Sequence, residues 1–305
     1  MNTTRRRFVR SMAYSTGAAL LLARSGYGAE AKKKVVPMKI SSQEDLIPGR
    51  SFAEKTANLE RYGFDAVELG GRGLPGRVSE VKSAIRGRPI VVSAICAGYG
   101  GCLISPDSDE RRKAVSDMRD ILSAAGELGS TGLIMVPAFN DQYTIPDLHP
   151  YKSKYDLARA LLVEQLKPLG EHAAACGTRI LMEPLNRYEA SFLNRVADAV
   201  SICKEVRNPG VCVMADFFHM NIEERNSAEA IRTGGSLLHH IHLADNTRLL
   251  PGQGEMDFLP GFRALQDIGY SDFCSLECGI DGDPEVELPK CVKLLRKNWD
   301  LDAGD

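Results

Sequence analysis

The stretch Ile180-Leu-Met-Glu-Pro-Leu-Asn-Arg-Tyr-Glu189 is an apolar run that ends in a carboxylate, then a proline, then a short polar tail. A buried strand that delivers an acid to a rim has this form. Three later apolar runs end in the same way: Val211-Cys-Val-Met-Ala-Asp216, His240-Ile-His-Leu243 with His242, and Phe273-Cys-Ser-Leu-Glu277. The gaps between Glu183, Asp216, His242 and Glu277 are 33, 26 and 35 residues. Each is near the length of one strand-plus-helix unit, so the four side chains can converge at one end of a parallel barrel.

Outward from these four runs, apolar and helical segments alternate from Pro37 onward. Residues 38–40, 66–69, 90–95 and 133–136 read as the first four strands, and the four runs above as strands five to eight. Helices are predicted over 51–62, 78–85, 105–128, 157–175, 194–206, 227–232, 261–268 and 285–297. Ser51 stands at an N-cap and Gly63 closes that helix. Acids crowd the first turn of the helix from Ser105, as the helix dipole prefers. The polar stretch 140–154, with Pro146 and Pro150, reads as a rim loop or lid. Strict alternation argues for a parallel sheet. Eight units over about 260 residues fit a single-domain α/β fold, the (β/α)8 TIM barrel, spanning residues 37–300.

Residues 1–31 stand apart from that domain. Thr4-Arg5-Arg6-Arg7-Phe8-Val9-Arg10 has the form of a twin-arginine export motif. A small-residue apolar segment follows over 12–22, then a cleavage site at Ala29-Glu30-Ala31. The expectation is a twin-arginine signal peptide, a linker over 32–36, and a periplasmic or otherwise extracytoplasmic protein. The segment is too short and too mildly apolar for a spanning helix, so stable membrane insertion is not expected. A net charge of −2 over 305 residues leaves no basic surplus to draw nucleic acid. The eight cysteines form no compact framework and no CxxC, and most lie in apolar runs, so buried free thiols are expected.

Active sites of such barrels lie at the carboxyl ends of the strands, which puts Glu183, Asp216, His242 and Glu277 on one rim. A single acid at a strand end commonly caps a helix or pairs with an arginine. Four polar ends on four consecutive strands point to a metal instead. Three oxygen donors and one imidazole suit a divalent ion of the manganese, magnesium or cobalt kind. Glu189, His219 and Arg248 lie just beyond these ends and would form a polar rim for a hydroxylated ligand. Period-two alternation keeps His219 off the strand face of Asp216, which places it in the following loop. His240 shares the face of His242 and reads as a core histidine one layer deeper. No histidine precedes His149, so the first four strands offer no imidazole.

Met182-Glu-Pro-Leu-Asn-Arg-Tyr-Glu189, Asp216-Phe-Phe-His-Met-Asn-Ile-Glu-Glu224 and His240-Ile-His-Leu-Ala-Asp-Asn-Thr-Arg248 resemble the xylose-isomerase-like barrel superfamily. The likeness is greatest to its ketose 3-epimerase and hydroxypyruvate isomerase branch. Leu103-Ile-Ser-Pro-Asp107 and Pro251-Gly-Gln-Gly254 fit that branch too, while Cys278-Gly279 after Glu277 departs from it. The resemblance implies that Glu183, Asp216, His242 and Glu277 bind the metal, with manganese first and magnesium, cobalt or zinc also admissible. It further implies that Glu183 and Glu277 double as the acid/base pair, and that Glu189, His219 and Arg248 hold substrate oxygens.

The chemistry expected of that set is proton removal beside a ketone. Negative charge then develops on oxygen as an enediolate, which a divalent ion stabilises as a Lewis acid. Two carboxylates on opposite faces allow epimerisation; return of the proton to the neighbouring carbon gives aldose–ketose isomerisation. The expected partner is a small sugar, unphosphorylated because no glycine-rich phosphate loop is present. Self-association into a homo-oligomer is left open. The alternative is an exported lyase or hydrolase that acts on 3-keto-glycosides by the same proton abstraction. A DNA-repair endonuclease of the same superfamily resembles a three-zinc site fed by early histidines, which this chain lacks. Loss of Glu183 or Glu277 would favour a non-catalytic sugar-binding barrel, and both are present.

Overall fold

Alternation along eight short strands sorts their side chains into two sets. In the computed structural model, which describes residues 36–139 and 143–301, the strands are β1 (Lys39–Gln43), β2 (Ala66–Gly70), β3 (Val91–Cys96), β4 (Leu133–Met135), β5 (Ile180–Met182), β6 (Val211–Asp216), β7 (Leu238–Leu243) and β8 (Phe273–Leu276). Neighbours in sequence are neighbours in the sheet, and β8 pairs with β1 in parallel to close the barrel. The export motif and residues 32–35 of the linker lie outside the described residues.

One set of alternating positions faces outward into the main hydrophobic core beneath the helices, as do Ile180, Met182, Ile241, Leu243 and Leu276. The other set faces the barrel interior. There Ala94, Ile134, Leu181, Cys212 and Met214 form a small apolar cluster on the β3–β6 side. Ser41, Glu68, His240, His242 and Ser275 fill the β1, β2, β7 and β8 side, all buried. Polar interior positions on one side and apolar ones on the other set up the site above them.

The strands are wrapped by α1 (Phe52–Tyr62), α2 (Leu74–Ile85), α3 (Ser108–Glu127), α4 (Lys154–Ala175), α5 (Val196–Val206), α7 (Ser227–Gly234), α8 (Leu259–Asp267) and α9 (Pro284–Asp300), with a short extra helix α6 (Phe217–Glu223) after β6. Ser51 accepts the Glu54 amide at the start of α1, and Gly63 ends it at φ +88°. Asp107 and Asp283 cap α3 and α9 in the same way. Gly71 lets the loops after β2 and β3 touch, since a Cβ there would collide with the Ala97 carbonyl.

Two local expectations change. Residues 154–156 belong to α4, which Ser153 caps by accepting the Asp156 amide, so the stretch before it ends at 153. His219 lies within α6, which begins directly after Asp216, and is not in a loop. All eight cysteines are free. Among the described residues no helix is long and apolar enough to cross a membrane.

Candidate metal and acid/base site

Strand alternation turns Glu183, Asp216, His242 and Glu277 into the barrel mouth from β5, β6, β7 and β8. One ligand-type atom from each comes within 4.8 Å of the others. His242 Nδ1 lies at the centre, 3.2 Å from Glu277 Oε2, 3.4 Å from Glu183 Oε1 and 3.9 Å from Asp216 Oδ2. Register explains the convergence: Asp216 is opposite His242 across β6 and β7, and Leu243 opposite Leu276, the residue before Glu277.

The two oxygens of Asp216 divide their work. Oδ1 accepts the Phe218 amide at 2.6 Å and caps α6. Oδ2 is buried and has no hydrogen-bond partner, as do Glu183 Oε1 and His242 Nδ1. Buried polar atoms without partners are costly. Three such atoms aimed at one point, with Glu277 Oε2 beside them, form a place built for a cation. The residues present therefore fit a divalent metal.

Electrostatics agree. Burial first, then the charge of Glu277, pushes the Asp216 carboxyl up to about 8. Burial also raises Glu183, beyond what His242 returns. For Glu277, burial is outweighed by the His242 ring, and its carboxyl is held below the usual range. Burial disfavours a charged His242, but Glu68 and Glu277 overcome it and raise the ring well above the ordinary value. Burial thus favours the neutral carboxyl of Asp216 and Glu183 in the metal-free chain.

Glu68 and Gln43 were not picked out by the sequence reading. Glu68 accepts from Nε2 of both His240 (2.8 Å) and His242 (3.0 Å), and from Gln43 Nε2 at 3.0 Å. Burial works against its charge, yet the two rings hold its carboxyl well below the usual range. Gln43 Nε2 also reaches Glu277 Oε1 at 2.9 Å. His240 is the deeper core histidine expected, its ring centroid 5.3 Å from that of His242. The available signal was a lone carboxylate at an inward position of the apolar run Ala66-Val-Glu-Leu69.

The three rim residues also meet. His219 Nδ1 accepts the Asn186 backbone amide at 3.3 Å, which leaves the ring proton on Nε2. That Nε2 is buried, lacks a partner, and lies 3.8 Å from Asp216 Oδ2. Burial pulls the His219 ring down to about 4, so it is neutral at pH 7. Glu189 Oε1 accepts from Arg248 Nη1 at 2.6 Å and from Asn186 Nδ2 at 2.8 Å. Arg248 lies over the Phe218 ring, and its Nη2 is 3.7 Å from Glu277 Oε2. Glu183, Glu189, His219, Arg248 and Glu277 border a cavity of about 460 Å³ whose other wall is mostly apolar, including Tyr99, Val136 and Phe139.

A closed parallel barrel with an acid-and-histidine cluster at the mouth of four adjacent strands defines a (β/α)8 enzyme with a built place for a metal. The chain belongs to the xylose isomerase-like TIM barrel family, which matches residues 56–298. It is 34% identical to a 3-dehydro-D-guloside 4-epimerase of Escherichia coli, over 85% of this chain and 99% of that protein. It is 33% identical to a D-psicose 3-epimerase of Ruminiclostridium cellulolyticum, over 83% of this chain and 84% of that protein. The crystal structure of an E. coli 3-keto-D-glucoside 4-epimerase in its apo form superposes with a TM-score of 0.78 at 33% identity, covering 85% of this chain and 99% of the other. The chain is a sugar isomerase/epimerase, and these relatives favour epimerisation over the lyase or hydrolase alternative.

Proposed function

We propose that the chain inverts a carbon next to the ketone of an unphosphorylated sugar, either a free ketose or a 3-keto-glycoside, with a divalent metal, manganese first, held by Glu183, Asp216, His242 and Glu277. The observation that carries this reading is the set of partnerless donor atoms from neighbouring strands, aimed at one point beside a sugar-sized cavity. The metal, when bound, supplies Lewis-acid stabilisation of the negative charge that develops on substrate oxygen. Glu183 and Glu277 come from strands three places apart around the barrel, and in this proposal they flank the bound sugar on opposite faces. One removes the proton and the other returns it to the opposite face. The His219 Nε2–H and the Arg248 guanidinium donate to substrate hydroxyl or carbonyl oxygens, and Glu189 holds Arg248 in place.

Charge supports an unphosphorylated substrate. Arg248 is the single basic side chain other than the neutral His219 among the described cavity-lining residues, and Glu189 already engages it. A phosphate would face three carboxylates. The two relatives above are named for a glycoside and for a free ketose, and the site chemistry serves both. The test is to incubate metal-loaded protein with a panel of free ketoses and 3-keto-glycosides and follow the new epimer by NMR. Elimination products in place of an epimer would overturn the reading, as would no metal-dependent conversion of any member.

The residues before the barrel support a further part of the proposal, export by the twin-arginine route to the periplasm or another extracytoplasmic site. Replacing Arg5, Arg6 and Arg7 with lysine should strand the protein in the cytoplasmic fraction. Unchanged fractionation would contradict it.

A further inference from the structure

Burying an ionised carboxylate costs several kcal/mol unless it is paired and fully hydrogen-bonded, and an apolar side chain often serves stability better. Glu68 is 1% exposed in the barrel interior, where packing alone calls for an apolar residue. What it has there is a set of three donors: His240 Nε2, His242 Nε2 and Gln43 Nε2. Because an ionised carboxylate only accepts, the hydrogen bond from His242 keeps a proton on Nε2. That fixes Nδ1 as the ring atom that faces Glu183, Asp216 and Glu277. Gln43 does the matching task for Glu277: its amide nitrogen bridges Glu68 Oε1 and Glu277 Oε1, which leaves Oε2 turned towards His242.

We infer that Gln43 and Glu68 are the positioning pair of this site, Glu68 orienting the His242 ring for a metal and Gln43 orienting the Glu277 carboxylate for proton transfer. The inference rests on the metal and acid/base reading given above. It gives β1 and β2, which contribute no ligand to the cluster, a defined part in the chemistry. It also assigns the two residues effects of different balance. Loss of the Glu68 carboxylate loosens His242 and acts on metal affinity. Loss of the Gln43 amide frees Glu277 to rotate and acts chiefly on turnover, with a lesser effect on metal affinity because Glu277 is also a ligand.

The experiment uses the full chain and the variants Glu68→Gln and Gln43→Ala. Zn²⁺ affinity is measured by competition with a chromophoric chelator, and the ring nitrogens are read by ¹⁵N NMR of histidine-labelled, Zn²⁺-loaded protein. His242 is assigned among the six histidines through its own substitution. Circular dichroism reports the fold, and kcat and KM come from the Mn²⁺-loaded enzyme. Glu68→Gln is expected to weaken Zn²⁺ by about 10–100-fold and to move the His242 Nε2 resonance. Gln43→Ala is expected to lower kcat about 10²-fold, the scale of a small misplacement of a reacting group, with a smaller loss of Zn²⁺ affinity than Glu68→Gln shows.

Wild-type Zn²⁺ affinity with an unmoved His242 resonance in a folded Glu68→Gln protein overturns the inference, and so does an unchanged kcat in Gln43→Ala. Should Glu68→Gln not fold, Glu68→Asp, which keeps the charge but draws it back from the His242 ring, is measured in its place with the same loss of Zn²⁺ affinity expected and the same wild-type result overturning the inference. If the wild-type chain itself binds no Zn²⁺ or Mn²⁺, the wider reading fails, and the inference with it.

Discussion

Metal binding at this cluster is predicted to be a proton exchange, and the structure sets its size. The Asp216 carboxyl, pushed up to about 8 by burial first and the Glu277 charge next, is mostly protonated in the metal-free chain at pH 7. His242 is raised well above its usual value, Glu68 and Glu277 overriding burial, and burial raises Glu183. A metal needs these donors deprotonated, so binding displaces their protons. The metal-bound state has Asp216 ionised; raising the pH therefore favours binding until Asp216 is ionised in the metal-free chain too. Asp216 sets a slope of up to one proton per ion below pH 8, and the upward shifts of His242 and Glu183 act in the same direction. Apparent affinity should rise with pH from 6 towards 8, by up to about tenfold per unit, or about 1.4 kcal/mol, for each proton displaced. Calorimetric titration with Mn²⁺ in buffers of different ionisation enthalpy gives both the affinity and the proton count. Affinity flat across this range, with heats independent of buffer, would refute the placement of these groups.

Three further outcomes are expected. The folded-state value of Asp216 lies above its unfolded value of about 3.9, so its contribution to the metal-free fold is complete below that value and is lost as pH rises towards 8. Differential scanning calorimetry of metal-free protein should therefore give a lower Tm at pH 8 than at pH 5, with added Mn²⁺ reversing the loss at pH 8. Arg248→Ala should raise KM about tenfold or more, the worth of one charged hydrogen bond to substrate, while the urea midpoint stays near wild type; an unchanged KM would remove Arg248 from the substrate. Phe262 is fully buried against Phe217, Phe258 and Trp299, so Phe262→Ala should cost about 3–5 kcal/mol in equilibrium unfolding with no direct change at the site.

The barrel was legible because its signals are local. Apolar runs of strand length, Ser51 and Gly63 at the two ends of α1, and acids in the first turn of α3 each declare themselves within a few residues. The cluster was legible for a related reason: Glu183, Asp216, His242 and Glu277 end their runs, and strand ends all meet at one rim. Glu68 escaped because it sits inside β2. Alternation shows that it faces inward, but the depth at which it meets His240 and His242 depends on register across the barrel, which no local pattern encodes. Gln43 lies beyond the apolar core of β1, and its partner Glu277 is 234 residues away. The helix α6 hid behind alternation because seven residues are too few to show a period, so His219 was placed in a loop. Its burial and its bond to Asn186 come from α6 packing against the loop after β5.

The central claim, proton abstraction by carboxylates at a metal-dependent site, is tested most directly by solvent exchange. Mn²⁺-loaded protein is placed in D2O with a substrate that it epimerises, and deuterium uptake at the carbon next to the ketone is followed by NMR beside Glu277→Gln. The account predicts deuterium at that carbon with the wild-type chain, none after chelation, and a rate about 10²–10⁴-fold lower in the folded variant. Epimerisation without deuterium uptake, or a Glu277→Gln protein that exchanges at the wild-type rate, would contradict it.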